Sequence, residues 1–184
     1  MPKLKENIKK ISFKQGLYLG ILLSIINIGI YLYANFSNNW SLMISQWYQF
    51  AKFLIIVGFA SYTTILCRKA YMNSFSFRDG FSAFFIAVAV GLGIYVLGNW
   101  FLLSVFDADA GEIITKESVV LLEERLGKME QAPEKIEESI QELYENPPFA
   151  FKNQFIGYIF NLVLYCLPAI IIALLFKTKK PIIR

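Results

Sequence analysis

The 184-residue chain has no histidine and only two cysteines, Cys67 and Cys166. Without histidine the commonest general base, the histidine-dependent nucleophilic triads and most zinc sites are excluded. The sequence also lacks a phosphate-cradling glycine loop, a serine elbow and a Cys-x-x-Cys pair. Charge is scarce as well: 17% of residues are charged, against about 25% in a soluble domain. Asp79 has Arg78 and Lys69 as natural neighbours, and a lone carboxylate does not make an acid/base pair. No catalytic, cofactor-binding or metal-ligating set is therefore assigned, and the chain reads as a non-enzyme.

Apolar residues are abundant, with 56% hydrophobic and 16% aromatic. Four runs are long enough to cross a hydrocarbon core of about 30 Å, which takes about 20 helical residues. They are Gly16 to Ala34, Trp47 to Cys67, Phe81 to Phe106 and Phe155 to Phe176. Each run is continuously apolar rather than alternating, which points to helices and away from a β-barrel. The first run is nearly twice the length of a signal-peptide core, and Leu-Tyr-Ala before Asn35 is a poor cleavage site, so it is expected to stay as a span.

Basic residues set the expected threading. Lys3, Lys5, Lys9, Lys10 and Lys14 precede the first run; Arg68, Lys69 and Arg78 separate the second from the third; Lys177, Lys179, Lys180 and Arg184 follow the fourth. The first connecting loop, NFSNNWSLMISQ, has no charge. Both termini are thus expected in the cytoplasm, with residues 35–46 and 107–154 outside it. Trp40, Trp47, Tyr48 and Trp100 then fall at the outer interface as an aromatic belt. Both cysteines fall toward the cytoplasmic side, where a disulfide is not expected. The net charge of +4 conceals a segregation: residues 107–148 hold twelve of the fourteen acids and four bases, a net −8. Basic residues near anionic inner-leaflet lipid account for the high pI, and nucleic-acid binding is excluded as a reading.

The two halves resemble each other. Ser12-Phe13-Lys14-Gln15-Gly16 matches Ser76-Phe77-Arg78-Asp79-Gly80, and the same offset pairs Gly29-Ile30-Tyr31 with Gly93-Ile94-Tyr95 and Asn35 with Asn99. Spans two and four align more weakly, through Gly58 with Gly157 and Cys67 with Cys166. The expected fold is an all-α integral membrane four-helix bundle of two tandem helical hairpins, one membrane domain over residues 1–184.

Polar residues inside the runs are few. Asn27 and Asn161 lie at similar depth and form a candidate interhelical pair, which would bring spans one and four together. Lys52 and Lys152, near the outer ends of their spans, form a candidate positive platform for the acidic segment. Ser61, Thr63 and Thr64 are expected to bond their own helix, and Pro168 to kink the last span.

The acidic stretch, 107–148, is expected to be an extracytoplasmic helical hairpin inserted between spans three and four. Thr115 is a candidate cap for a helix from Lys116 to about Gln131, and Pro133 suits the first turn of a second helix ending near Glu145. Val119, Leu122, Leu126 and Met129 share one face of the first; Ile136, Ile140, Leu143 and Tyr144 share one face of the second. Helices this short need their stripes covered, so these eight residues form a candidate partner-binding face. The run Asp107-Ala108-Asp109-Ala110-Gly111-Glu112 faintly resembles the start of a calcium loop, but Ser118 stands where the bidentate Glu belongs.

The layout resembles the domain of unknown function 4199 family. The likeness rests on Ser76 to Gly80 at the start of a span, the acidic helical insert with its Pro133 to Ile136 helix start, the proline break after it, and Phe176 to Lys179 at the end of the last span. The resemblance implies a bacterial inner-membrane protein and brings no functional residue with it. The expected role is a non-enzymatic accessory or scaffold, with the lipid bilayer and an envelope protein or a second copy as partners. The alternatives are a small oligomeric transporter or channel, or a subunit of a lipid-processing enzyme.

Overall fold

The computed structural model describes residues 2–70, 75–129 and 132–178. Gln131, the expected end of the first acidic helix, and Lys179, Lys180 and Arg184 of the basic count lie outside the described residues. Among the described residues there are seven α-helices and no strand: α1 Pro2–Ser37, α2 Ser41–Ile44, α3 Gln46–Ala70, α4 Phe77–Phe101, α5 Ala108–Lys128, α6 Pro133–Glu145 and α7 Phe151–Phe176. A π-helical turn, Leu102–Phe106, prolongs α4.

Four stretches are long and apolar enough to cross a membrane: Glu6–Ser37, Gln46–Ala70, Phe77–Phe106 and Phe151–Phe176. Each contains an expected run and extends past it, because a helix keeps making its own hydrogen bonds after its side chains turn polar. The lysine-rich start of α1 is one such extension, and there Glu6 and Lys10 pair one turn apart at 2.8 Å. One stripe continues along α1 through Ile8, Ser12, Gly16, Leu19, Leu23, Asn27, Tyr31 and Ala34, all buried at helical spacing.

The chain divides into two compact units, residues 1–23, 51–95 and 158–184 in one and 24–50 and 96–157 in the other. In the first unit α1 and α4 approach closely. A Cβ at Gly16 would lie 2.7 Å from that of Val90, one at Gly20 2.7 Å from that of Ile94, and one at Gly91 2.8 Å from Leu19. These glycines let two backbones meet, the usual device where lipid gives no hydrophobic push between helices. Elsewhere in this unit Tyr158 of α7 donates to the Ala89 carbonyl of α4 at 3.0 Å, and Phe53 of α3 stacks on Tyr165 of α7 at 5.4 Å. Ile8, Cys67, Phe75 and Ala83 close a cluster with Phe176 beside it. Ser76 starts α4 with a reciprocal cap: its hydroxyl accepts the Asp79 backbone N–H at 3.3 Å, while the Asp79 carboxylate accepts the Ser76 backbone N–H at 3.1 Å and the Ser76 hydroxyl at 2.6 Å. Ser61, Thr63 and Thr64 bond carbonyls one turn back, as expected, and α7 runs unbroken through Pro168.

The second unit holds two departures from expectation. The stretch 35–46 is not a bare loop: Asn38 at φ 55 reverses the chain, with Asn39 N–H returning to the Ala34 carbonyl at 3.1 Å, and the one-turn α2 follows. This folds Trp40 inward to 5% exposure against Tyr31, so it sits in the core and not in an aromatic belt. The first acidic helix also starts at Ala108 instead of Lys116, capped by Asp107, which accepts from Ala110 N–H at 3.0 Å. Thr115 is inside that helix, its hydroxyl spent on the Gly111 carbonyl at 2.8 Å. A side chain at Gly111 would run into the Leu103 carbonyl, so this glycine admits the helix to the π-turn. Pro133–Glu145 is helical with the expected bounds.

Candidate functional site

The most connected polar group in the second unit joins α1, α3, α4 and the start of α5. Tyr48 donates to Oδ1 of Asn27 at 3.2 Å, and Nδ2 of Asn27 donates to Oδ1 of Asn99 at 3.1 Å. One turn along α1, Tyr31 donates to the Asp107 carboxylate at 2.5 Å. That bond and the Ala110 N–H hold the Asp107 carboxyl below the ordinary carboxylate value. Asp107 thus serves as a cap and a tether, which accounts for the acid heading the calcium-like spacing. Asn27 and Asn99 are both deeply buried, at 3% and 7% exposure.

Two cavities flank this group. One, of ≈ 450 Å³, is walled by Ser24, Asn27, Ile28, Tyr31, Leu32, Gly98, Asn99, Phe101, Leu102 and Phe106. The other, of ≈ 480 Å³, lies where the π-turn meets α5 and the segment after α6, with Ser104, Glu112, Thr115, Lys116 and Tyr144 as its polar or amphipathic lining. The hydroxyls of Ser104 and Thr115 are already taken by the Phe149 and Gly111 carbonyls at 2.8 Å each.

The other sequence-derived candidates are distributed as follows. Asn161 falls in the first unit. Lys52, in the same unit, donates to the Tyr95 hydroxyl at 3.3 Å with its ammonium 4.7 Å from that ring. Tyr31 and Tyr95, matched by the internal repeat, therefore differ in role: one donates to an acid and the other accepts from a base. Lys152 is exposed and lines a cavity with Glu142 and Asn146. On the proposed partner face Val119 is buried, Leu122, Leu126, Ile136, Ile140 and Leu143 are half-covered, and Met129 and Tyr144 are exposed. α5 contacts α6, α2 and the π-turn, so its apolar stripe is largely occupied within its own chain. Asn99 and Asp107 were not singled out as site residues from sequence. In the sequence Asn99 stands out only as the repeat partner of Asn35, and Asp107 only as the head of the calcium-like spacing.

Among the described residues no group of three or more His, Cys, Asp or Glu side chains is placed to hold a metal ion. The thiols of Cys67 and Cys166 are free; that of Cys67 lies 3.7 Å from the Ser12 hydroxyl.

Four helices long and apolar enough to cross a membrane point to a helical membrane protein. The chain belongs to the family described as Protein of unknown function (DUF4199), whose model matches residues 10–178. Comparison with curated proteins and with solved structures gives no match.

Proposed function

We propose that this chain is a multi-pass protein of a bacterial inner membrane, both termini cytoplasmic, acting as a non-enzymatic accessory that presents an acidic helical hairpin to a basic envelope protein. The supporting observation is the anchoring of α5. Ala110, Ile114, Thr115 and Val119 are buried, and Ile114 is fully so in a cluster with Tyr31, Ala34, Trp40, Met43 and Leu103. Burial of that half holds the rest of α5 and α6 in a set position. The acids Glu123, Glu124, Glu134, Glu137, Glu138, Glu142 and Glu145 are all exposed. A net −8 over residues 107–148 is repelled by anionic lipid and attracted by a basic protein surface.

The test is affinity capture from gently solubilised membranes, comparing the intact chain with one in which Glu134, Glu137, Glu138 and Glu142 are changed to Gln. The accessory reading expects a specific basic protein to be captured by the first and lost from the second, and its purified form to rebind with an affinity that falls as salt rises. Identical capture by both chains would overturn it.

A further inference from the structure

The cavity floored by Asn27 and Asn99 lies wholly within stretches of α1 and α4 that are apolar enough to cross a membrane. Its rim is Ile28, Leu32, Phe101 and Phe106, each between 46% and 71% exposed, so its mouth faces hydrocarbon. The floor is polar and short of acceptors. The two amide oxygens are taken, Asn99's by Asn27 and Asn27's by Tyr48. Nδ2 of Asn99 has no acceptor among the described residues, although the residue is only 7% exposed and lines the cavity.

An amide N–H left unpaired in such a place costs about 1 to 3 kcal/mol, and water in the hydrocarbon is too scarce to relieve it. A carbonyl of a packed helix can accept such a bond, as Ala89 does from Tyr158, but the rim of this cavity is exposed and no helix among the described residues covers it. The missing group is an acceptor carried on an apolar chain. Depth narrows the choice. The spans Glu6–Ser37 and Phe77–Phe106 have 32 and 30 residues. Centring each on a hydrocarbon core of about 30 Å puts Asn99 about 4 Å and Asn27 about 7 Å inside its boundary. That is close to the level at which the ester carbonyls of a glycerolipid lie. We propose that this cavity is a lipid site, in which Asn99 donates to an ester carbonyl of a membrane glycerolipid and the start of that lipid's acyl chain lies against Ile28, Leu32 and Phe106.

The full chain, purified in mild detergent, is titrated with a diester phosphatidylcholine and with its diether analogue of the same chain length, which has no carbonyl, and bound lipid is counted by native mass spectrometry. The diester is expected to be retained about fivefold more strongly, the equivalent of one net hydrogen bond. Asn99→Leu is expected to remove that preference, and Ile28→Trp, which obstructs the mouth without touching the amides, to weaken retention of both lipids. Equal retention of the two lipids by the unaltered chain would overturn the proposal. So would a preference that survives Asn99→Leu in a protein of unchanged helicity, or crosslinking of two copies through Phe101→Cys that excludes lipid.

Discussion

The Tyr31 hydroxyl donates to one oxygen of Asp107 at 2.5 Å while the other oxygen accepts the Ala110 N–H at 3.0 Å. One carboxylate thereby ties α1 to the first turn of α5. Tyr31→Phe keeps the ring that packs 5.9 Å from Trp40 and removes only the donor. The expected loss is about 1.5 kcal/mol, the low end for a hydrogen bond to a charged group because Asp107 is partly exposed. Amide hydrogen exchange should quicken across residues 108–119 and change little elsewhere. Unaltered exchange there would mean that α5 is held by its apolar contacts alone.

The same pair predicts an acid response. Asp107 is held below its ordinary value of 3.8, first by Tyr31 and then by the Ala110 N–H. A depressed folded pKa contributes stability that is present above the unfolded value and lost as pH falls through the folded one. The unaltered protein should therefore lose this contribution only below about pH 3.8, and Asp107→Asn should lack it at every pH. Melting temperature against pH for the two proteins tests this: the curves should converge at the acid end, and a constant gap would count against the bond.

The four spans were legible because a long unbroken apolar run has few other uses, and α6 because Pro133 opens it and its stripe repeats cleanly. The start of α5 was not, since Ala108, Ala110 and Gly111 carry too little apolar surface to announce a helix; their small size matters only once the π-turn of Leu102–Phe106 is beside them. Trp40 was misplaced for a related reason. Its burial depends on a reversal at Asn38, a left-handed residue that single-sequence periodicity does not register. The site was half visible: Asn27 stood out as an amide in an apolar run, whereas its bond to Asn99 spans 72 positions, a relation that only tertiary packing supplies.

That amide bond should couple energetically. Asn27→Leu and Asn99→Leu, singly and together, are expected to show an interaction of about 0.6 to 2 kcal/mol in a bilayer or bilayer-like micelle. Reversible unfolding of the four proteins gives the value. Strict additivity would mean that each amide is satisfied separately and that the bond contributes nothing.

At the start of α4, Ser76 and Asp79 satisfy each other's backbone N–H groups, at 3.1 Å for Ser76 N–H and 3.3 Å for Asp79 N–H. Ser76→Ala should cost about 1 kcal/mol, and Ser76→Asp should restore most of it, because a carboxylate also accepts at a helix N-terminus. The repeat-matched Ser12 is a control with a different mechanism. It is buried in the middle of α1 beside Cys67, so Ser12→Asp should destabilise through a buried charge where Ser76→Asp does not. Equal effects of the two aspartates on the melting temperature would refute the assignment.

The close approach of α1 to α4 rests on Gly16 and Gly20, where a Cβ would come within 2.7 Å of Val90 and Ile94, and within 3.0 Å of the Ala87 and Gly91 carbonyls. Side chains form only part of that wall; a backbone carbonyl, which cannot swing away, belongs to it at each glycine. Gly16→Val and Gly20→Val are each expected to force the helices apart and to cost about 1 to 3 kcal/mol. Gly29, on the same helix with nothing within 4 Å of its Cβ position, separates this effect from helix propensity. Gly29→Ala should be neutral or stabilising, since Ala is the better helix former. A loss of stability at Gly29 as large as at Gly16 would place the effect in α1 itself and not in its packing on α4.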